Sequence, residues 1–203
     1  FTKLGLMRYL SHLELVRSIT RALRRAGIPM AYSRGYHPMP KLSFASALPV
    51  GVESLMETFE LETEKPVEPL QMMKDLNSQL PNGIHITRVE KIPLRKRPAR
   101  IVESTYLVRF SDSLQPQTAV LEVYKKRDEF IISKEGKKGP RPVNLKEWVR
   151  SIELLGPREI KVVIRFKDGG PHLKPQEVVG AIFSLDASSS EHLQIRKTAQ
   201  VIQ

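Results

Sequence analysis

An amphipathic helix near the start of the chain restricts the possible folds more than any other segment. Ser11 and Glu14 have the spacing of a capping box, and Gly27 with Pro29 supplies a stop, so this spacing predicts a helix over residues 12–26. At about 100° per residue, its apolar residues share one face: Leu15, Val16, Ile19, Ala22, Leu23 and Ala26. The opposite face carries Arg17, Arg21, Arg24 and Arg25. We expect the helix to pack on one side and present cations on the other.

The rest of the chain predicts strands and helices in an order that occurs twice. In the first half, the patterns predict strands over residues 4–10, 42–45, 57–62 and 84–91 and a second helix over 66–80. In the second half, they predict strands over 106–110, 129–134, 160–167 and 193–202, helices over 117–126 and 174–185, and an extra helix over 145–155. The order βαββαβ is that of the ferredoxin-like arrangement. We therefore expect an α+β fold of two ferredoxin-like domains in tandem, residues 1–92 and 104–203, joined by a basic linker over 93–103.

The charge balance indicates a polyanionic partner. The chain has 33 Lys and Arg residues against 22 Asp and Glu residues, a net charge of +11. Such a surplus attracts nucleic acid and makes its binding salt-sensitive. The sequence has no run of roughly 18 apolar residues and no signal-peptide pattern, so we expect a cytoplasmic protein that does not span a membrane.

Residue usage also excludes several kinds of chemistry. The chain has no cysteine, which removes disulfides, thiolate nucleophiles and thiolate-ligated clusters. Its histidines are not closely spaced: His12, His37, His85, His172 and His192. We therefore predict no metal site and no cofactor, and expect any radical or iron-sulfur chemistry to lie on a partner.

The stretch YSRGYHPMPK, residues 32–41, has too many Gly and Pro residues for a regular element and predicts a structured loop. It interleaves aromatic and cationic residues, as a surface for single-stranded or hairpin RNA does. The candidate RNA-binding residues here are Tyr32, Arg34, Tyr36, His37 and Lys41, beside the four arginines of the helix. The alternative is structural: the Gly and Pro residues set the path of the loop, and the arginines form a solvated face partly neutralised by Glu14.

His37 also supports a catalytic alternative. Histidine is the residue type most often used as a general acid or base, and Arg34 or Lys41 could stabilise a charged phosphate in RNA cleavage. His12 begins the helix and is a candidate for a second histidine at the same site. Otherwise the sequence identifies no catalytic residue.

Two further basic stretches are candidates to extend the RNA-binding surface. One is a predicted loop with Lys134, Lys137, Lys138 and Arg141, and the other is the linker with Arg95, Lys96, Arg97 and Arg100. Solubility alone is the competing explanation for both.

Residues 8–54 carry the motifs SHLEL, RRAGIP, YSRGYHPMPK and LPVGVES, and residues 143–203 carry VNLKEW, LKPQEVV and IRKT. In these motifs the chain resembles the bacterial radical-SAM-linked domain of unknown function, with Glu14 where that motif usually has Asp. The resemblance implies a radical-SAM protein as partner and transfers no catalytic residues. More distantly, the chain is similar to the CRISPR RNA-processing endoribonucleases, which pair ferredoxin-like domains and bind RNA.

These observations lead to one main hypothesis and two alternatives. The main hypothesis is an RNA-binding accessory protein that presents a structured RNA, such as tRNA or rRNA, to a radical-SAM modification enzyme. The first alternative is a metal-independent endoribonuclease that uses His37. The second is a scaffold that docks a radical-SAM protein without binding RNA.

Overall fold

The computed structural model describes residues 1–93, 99–112, 114–136 and 139–203. It shows an α+β fold, as the sequence predicted. The chain divides into two compact units, the first formed by Phe1–Arg100 with Ile202–Gln203 and the second by Ile101–Val201.

The first unit combines two helices with short strands. In chain order its elements are β1 (Thr2–Lys3), a 3₁₀ turn (Gly5–Tyr9), α1 (His12–Arg25), β2 (Leu42–Phe44), β3 (Val52–Ser54), β4 (Phe59–Leu61), α2 (Pro69–Gln79) and β5 (Ile84–His85). Strand β1 pairs antiparallel with both β3 and β5. Strands β2 and β4 form a separate antiparallel ribbon.

Helix α1 confirms the strongest prediction from sequence. The Ser11 hydroxyl accepts a hydrogen bond from the Glu14 amide at 3.3 Å, and a Glu14 carboxylate oxygen accepts one from the Ser11 amide at 2.8 Å. The helix buries Leu15, Ile19, Ala22 and Leu23. It ends before Gly27, whose φ of +66° is the left-handed conformation typical of a helix C-terminus. The buried face forms one core with apolar residues of α2 and of the β2–β4 ribbon.

The predicted strand over residues 4–10 is wrong, because these residues turn rather than extend. Gly5 has a φ of +59°, outside the range of a strand. The buried ammonium of Lys3 then donates to the Leu10 carbonyl oxygen at 2.8 Å and to that of Arg8 at 3.4 Å, which holds the turn closed. Burial lowers the pKa of this ammonium, while Glu57 and Glu14 oppose the shift.

The predicted strand over 84–91 is also shortened, to β5 alone. Beyond β5 the Asn77 side chain takes the place of a partner strand: it accepts a hydrogen bond from the Ile86 amide at 2.8 Å and donates one to the Ile86 carbonyl oxygen at 3.0 Å. Strand β3 was not predicted, because three residues are too few to show an alternating pattern.

The second unit has a sheet in the order β11-β6-β10-β9. In chain order its elements are β6 (Ile101–Arg109), α3 (Thr118–Lys126), β7 (Ile131–Lys134), β8 (Arg141–Asn144), a 3₁₀ turn (Leu145–Glu147), β9 (Val149–Gly156), β10 (Glu159–Arg165), α4 (Pro175–Ile182), α5 (Ala187–Glu191) and β11 (Gln194–Ile202). Strand β10 pairs antiparallel with β6 and β9, and β7 with β8.

The extra helix predicted over 145–155 is wrong. After a single 3₁₀ turn the chain extends into β9 and pairs with β10, with Ile152 opposite Val162. Leu145, Trp148 and Ile152 are buried at spacings that also suit a helix. The neighbouring strand decides the outcome, because strand preference depends on cross-strand partners more than on local sequence.

The capping box gives a direct test of α1. We expect Ser11→Ala to lower the free energy of unfolding by about 1 kcal/mol, because the Glu14 amide loses its acceptor, and Ser11→Gly to cost only a few tenths. Urea denaturation at neutral pH measures both variants. An unchanged free energy of unfolding in Ser11→Ala would show that the serine hydroxyl does not cap the helix.

The same box has a predicted pH dependence. Hydrogen bonds from the Ser11 side chain and then its backbone lower the pKa of the Glu14 carboxyl. A lowered folded-state pKa means that its stabilisation is present above the unfolded value of about 4.3 and is lost as the pH falls through the folded value. The stability difference between the wild type and Glu14→Gln should therefore shrink on acidification below about pH 4. Urea denaturation at several pH values measures it, and a pH-independent difference would contradict this account.

Gly170 tests the packing of the second unit, because a Cβ there would collide with the indole of Trp148, the only tryptophan. We expect Gly170→Ala to push the indole toward water, shift its fluorescence to longer wavelength and lower the free energy of unfolding by about 1–3 kcal/mol. Gly156→Ala is the matched control, since a Cβ at Gly156 meets nothing within 4 Å. Unchanged fluorescence in Gly170→Ala would overturn the close contact.

Candidate nucleic-acid interface

The four arginines predicted to bind RNA all lie on the exposed side of α1, opposite its buried residues. We call Arg17, Arg21, Arg24 and Arg25 the arginine face. Spacings of three and four residues bring neighbouring guanidinium groups onto one surface. Within the described part of the chain, the guanidinium groups of Arg21 and Arg24 form no hydrogen bond or ion pair.

The proposed neutralisation of this face by Glu14 is small in the structure. The Glu14 carboxylate accepts hydrogen bonds from the Ser11 amide at 2.8 Å and from the Ser11 hydroxyl at 2.7 Å, so the capping box uses it. Arg17 only adds to the lowering of the Glu14 pKa, after the hydrogen bonds from Ser11. The positive charge of the face is therefore largely uncompensated by its own helix.

Arg25 has a structural contact that the sequence did not indicate. Its guanidinium donates to the Gln79 carbonyl oxygen at 2.6 Å and so ties the end of α1 to the end of α2. Carbonyl groups in the last turn of a helix have no partner within that helix, and a cation is a favourable one. Arg25 therefore contributes to packing as well as to the charge of the face.

Residues 32–41 form a loop without regular structure, as predicted, and its base is tied together. The Ser33 amide donates to the Met39 carbonyl oxygen at 2.8 Å, and the Lys41 amide donates to that of Ala31 at 2.9 Å. The Ser33 hydroxyl also accepts a hydrogen bond from the Met39 amide at 3.0 Å. We call residues 33–39, which these bonds enclose, the tip loop.

The structure separates the five loop candidates into two groups. Arg34, Tyr36 and His37 lie in the tip loop with exposed side chains, and Tyr36 is fully exposed, at 102%. Tyr32 and Lys41 lie at the base, where Tyr32 pairs with Pro40 through a β-bridge. The Lys41 ammonium forms an ion pair with Glu62 at 2.6 Å. Polar and apolar residues alternate over 57–62, which indicates that the Glu62 side chain faces water but does not identify Lys41 as its partner.

His12, the candidate for a second histidine at a cleavage site, begins α1. It packs edge-on against Phe44 of β2, with ring centroids 5.3 Å apart. Its Nδ1 is buried and has no hydrogen-bond partner among the described residues. The ring therefore serves the packing of α1 on the β2–β4 ribbon, and nothing in this contact favours a two-histidine cleavage site.

Many cations of the second unit differ from the arginine face because acidic side chains hold them. These ion pairs include Arg150 with Glu103, Lys161 with Glu153, Arg158 with Asp112, Lys125 with Glu122 and Lys134 with Glu177. Lys134 ends β7, as the predicted strand over 129–134 does, but it was also predicted to belong to a flexible basic loop, and its partly buried ion pair holds it in place instead. Arg141 begins β8 and is exposed.

Some predicted basic residues fall outside the described residues, namely Arg95, Lys96, Arg97, Lys137 and Lys138. In the part that the structure describes, no group of three or more His, Asp or Glu side chains is placed to hold a metal ion. No helix among the described residues is both long and apolar enough to cross a membrane.

Comparison with known proteins establishes the family. Residues 1–175 match the family described as "Uncharacterized protein conserved in bacteria (DUF2344)", and the chain belongs to it. No curated protein matches the chain. A solved structure titled "Crystal Structure of a Cbf5-Nop10-Gar1 Complex" is similar at 12% sequence identity and a TM-score of 0.48, over 98% of this chain and 47% of that one. Likeness at this level carries no argument about function.

Two neighbouring arginines allow structural and surface roles to be separated. We expect Arg25→Ala to lower the free energy of unfolding by about 1 kcal/mol, because the hydrogen bond to Gln79 is lost. Arg21→Ala, on the same exposed face but without a partner in the described chain, should change it by less than about 0.5 kcal/mol. Urea denaturation measures both, and equal effects would contradict this division of roles.

Proposed function

We propose that this chain, a member of the bacterial family DUF2344, is an RNA-binding accessory protein that presents a structured RNA, such as tRNA or rRNA, to a radical-SAM modification enzyme. The observation that carries the RNA-binding part is the arginine face of α1. Its guanidinium groups are exposed, and two of them, those of Arg21 and Arg24, form no bond within the described chain.

The electrostatics favour a phosphate backbone as the ligand of this face. A guanidinium offers a planar fork of donors that matches two phosphate oxygens. Several such groups on one helix side attract a polyanion and release its counterions on binding. The net charge of +11 adds long-range attraction, which raises the rate of encounter.

The exposed aromatic ring in the tip loop favours RNA over a general anionic surface. Tyr36 offers its whole ring to solvent two residues after the cation of Arg34, and bases stack on such rings. The scaffold in this proposal is a pair of ferredoxin-like units. Its support is the order β11-β6-β10-β9, in which the first and last strands of the second unit are neighbours.

The radical-SAM partner rests on a different basis from the RNA. It comes from the resemblance of residues 8–54 to the radical-SAM-linked domain, and the chain itself has no cysteine to hold a cluster. In this proposal the partner performs the chemistry and this chain positions the RNA. A stable complex with such a partner, with an affinity that added RNA does not change, would favour the scaffold alternative instead.

The salt dependence of RNA binding tests the arginine face. Each phosphate contact contributes about 0.7 to 0.9 to the slope of log affinity against log salt. We expect the double variant Arg21→Gln, Arg24→Gln to bind folded tRNA more weakly and to reduce this slope by about 1.5. Fluorescence anisotropy with labelled tRNA over a range of salt concentrations measures both quantities.

The control removes the same charge from paired positions. The double variant Arg150→Gln, Lys161→Gln also loses two cations, but these form ion pairs with Glu103 and Glu153. It should keep the slope of the wild type. If both double variants lose affinity equally, net charge alone explains binding and the arginine face has no special role. Defined cleavage of the tRNA that His37→Ala abolishes would replace the accessory role with the endoribonuclease alternative.

A further inference from the structure

The tip loop and the arginine face offer different chemistry. The face presents cations from a rigid helix, whereas the tip loop presents an aromatic ring, one guanidinium and an imidazole from a protrusion whose side chains are all exposed. A backbone phosphate needs only the first kind of surface. The second kind matches a nucleotide whose base is free to stack.

Tyr36 is the centre of this surface. Its ring is 102% exposed, and the residue before it, Gly35, has a φ of +131°, which side-chain-bearing residues rarely adopt. An aromatic ring that is wholly in water has its entire apolar area available to a ligand. The tip loop therefore exposes to water the residue whose apolar surface would be stabilised most by a covering ligand.

The base of the loop holds this arrangement in place before any ligand arrives. Hydrogen bonds join Ser33 to Met39 and Ala31 to Lys41. Pro38 and Pro40 restrict the backbone φ angles where the loop returns to its base. Ordering a loop on binding reduces affinity, so a loop already closed at its base loses less. Tyr32 and Lys41, with their contacts at the base, belong to this support and not to the binding surface.

From these observations we propose that the tip loop binds unpaired nucleotides of the RNA, with a base stacked on the Tyr36 ring and a neighbouring phosphate held by Arg34. This deepens the proposed function and rests on it, because it names the part of the RNA that the chain recognises. Base-paired RNA does not offer this contact. Its base faces are stacked, and its deep, narrow major groove does not admit side chains.

Two RNA probes distinguish this contact from general phosphate binding. One is a labelled hairpin with an unpaired loop, and the other is a blunt duplex with the stem sequence of that hairpin. We expect the wild type to prefer the hairpin, and Tyr36→Ala to weaken hairpin binding about tenfold without changing duplex binding. Tyr36→Phe keeps the ring and should bind the hairpin as the wild type does.

The controls separate this inference from the proposed function. Tyr9→Ala removes another exposed tyrosine of the same unit, 55% exposed and outside the tip loop, and should change neither affinity. The double variant Arg21→Gln, Arg24→Gln should bind both the hairpin and the duplex more weakly than the wild type does. Circular dichroism and thermal unfolding confirm that each variant folds as the wild type does.

Three results would overturn the inference. If Tyr36→Ala loses affinity equally for hairpin and duplex, the ring makes only a nonspecific contact with RNA. Hairpin binding could instead be unchanged in Tyr36→Ala while the arginine variant still binds both probes more weakly. This result would overturn the unpaired-nucleotide contact and leave the proposed function standing. Absence of salt-dependent binding to either probe by the wild type would overturn both.

Discussion

The burial of one face of α1 is the interaction on which the first unit depends. Leu15, Ile19 and Leu23 are all but inaccessible to water, and they join α2 and the β2–β4 ribbon in one core. The same burial leaves the opposite face in water, because a helix with two distinct faces can hide only one. The core and the proposed RNA-binding surface are therefore two results of one packing event. A change that rotated α1 would alter both together.

The second organising principle is how the cations are paired. A net charge of +11 describes the whole chain and does not identify a binding surface. The structure shows acidic partners for Arg150, Lys161 and Lys134, whereas Arg21 and Arg24 have none among the described residues. An ion-paired cation must give up its partner before it binds a phosphate, and a solvated one gives up only water and counterions. For this reason the arginine face is a better candidate than the more numerous paired residues.

The tip loop depends on neighbours that lie far away in the sequence. Its base lies beside β4, where the Ala31 amide donates to the Glu62 carbonyl oxygen at 2.9 Å and the Lys41 ammonium pairs with the Glu62 carboxylate. An exposed ion pair of this kind adds little stability, but the backbone bonds align the two arms of the loop. Contacts with the ribbon thus restrain the base of this Gly- and Pro-rich loop while its tip stays exposed. Tyr36 is displayed because the residues around it are restrained.

The features that depend on near neighbours follow from the sequence alone. The capping box, the two faces of α1 and the irregular loop over 32–41 follow from spacings of a few residues, and the structure has all three. The tertiary structure determines that residues 149–156 form a strand and that Arg25 and Lys41 have partners, since β10, Gln79 and Glu62 lie elsewhere in the sequence. Periodicity records which side of an element is apolar. It does not record which element comes to lie against that side, because contacts between distant segments form only when the chain folds.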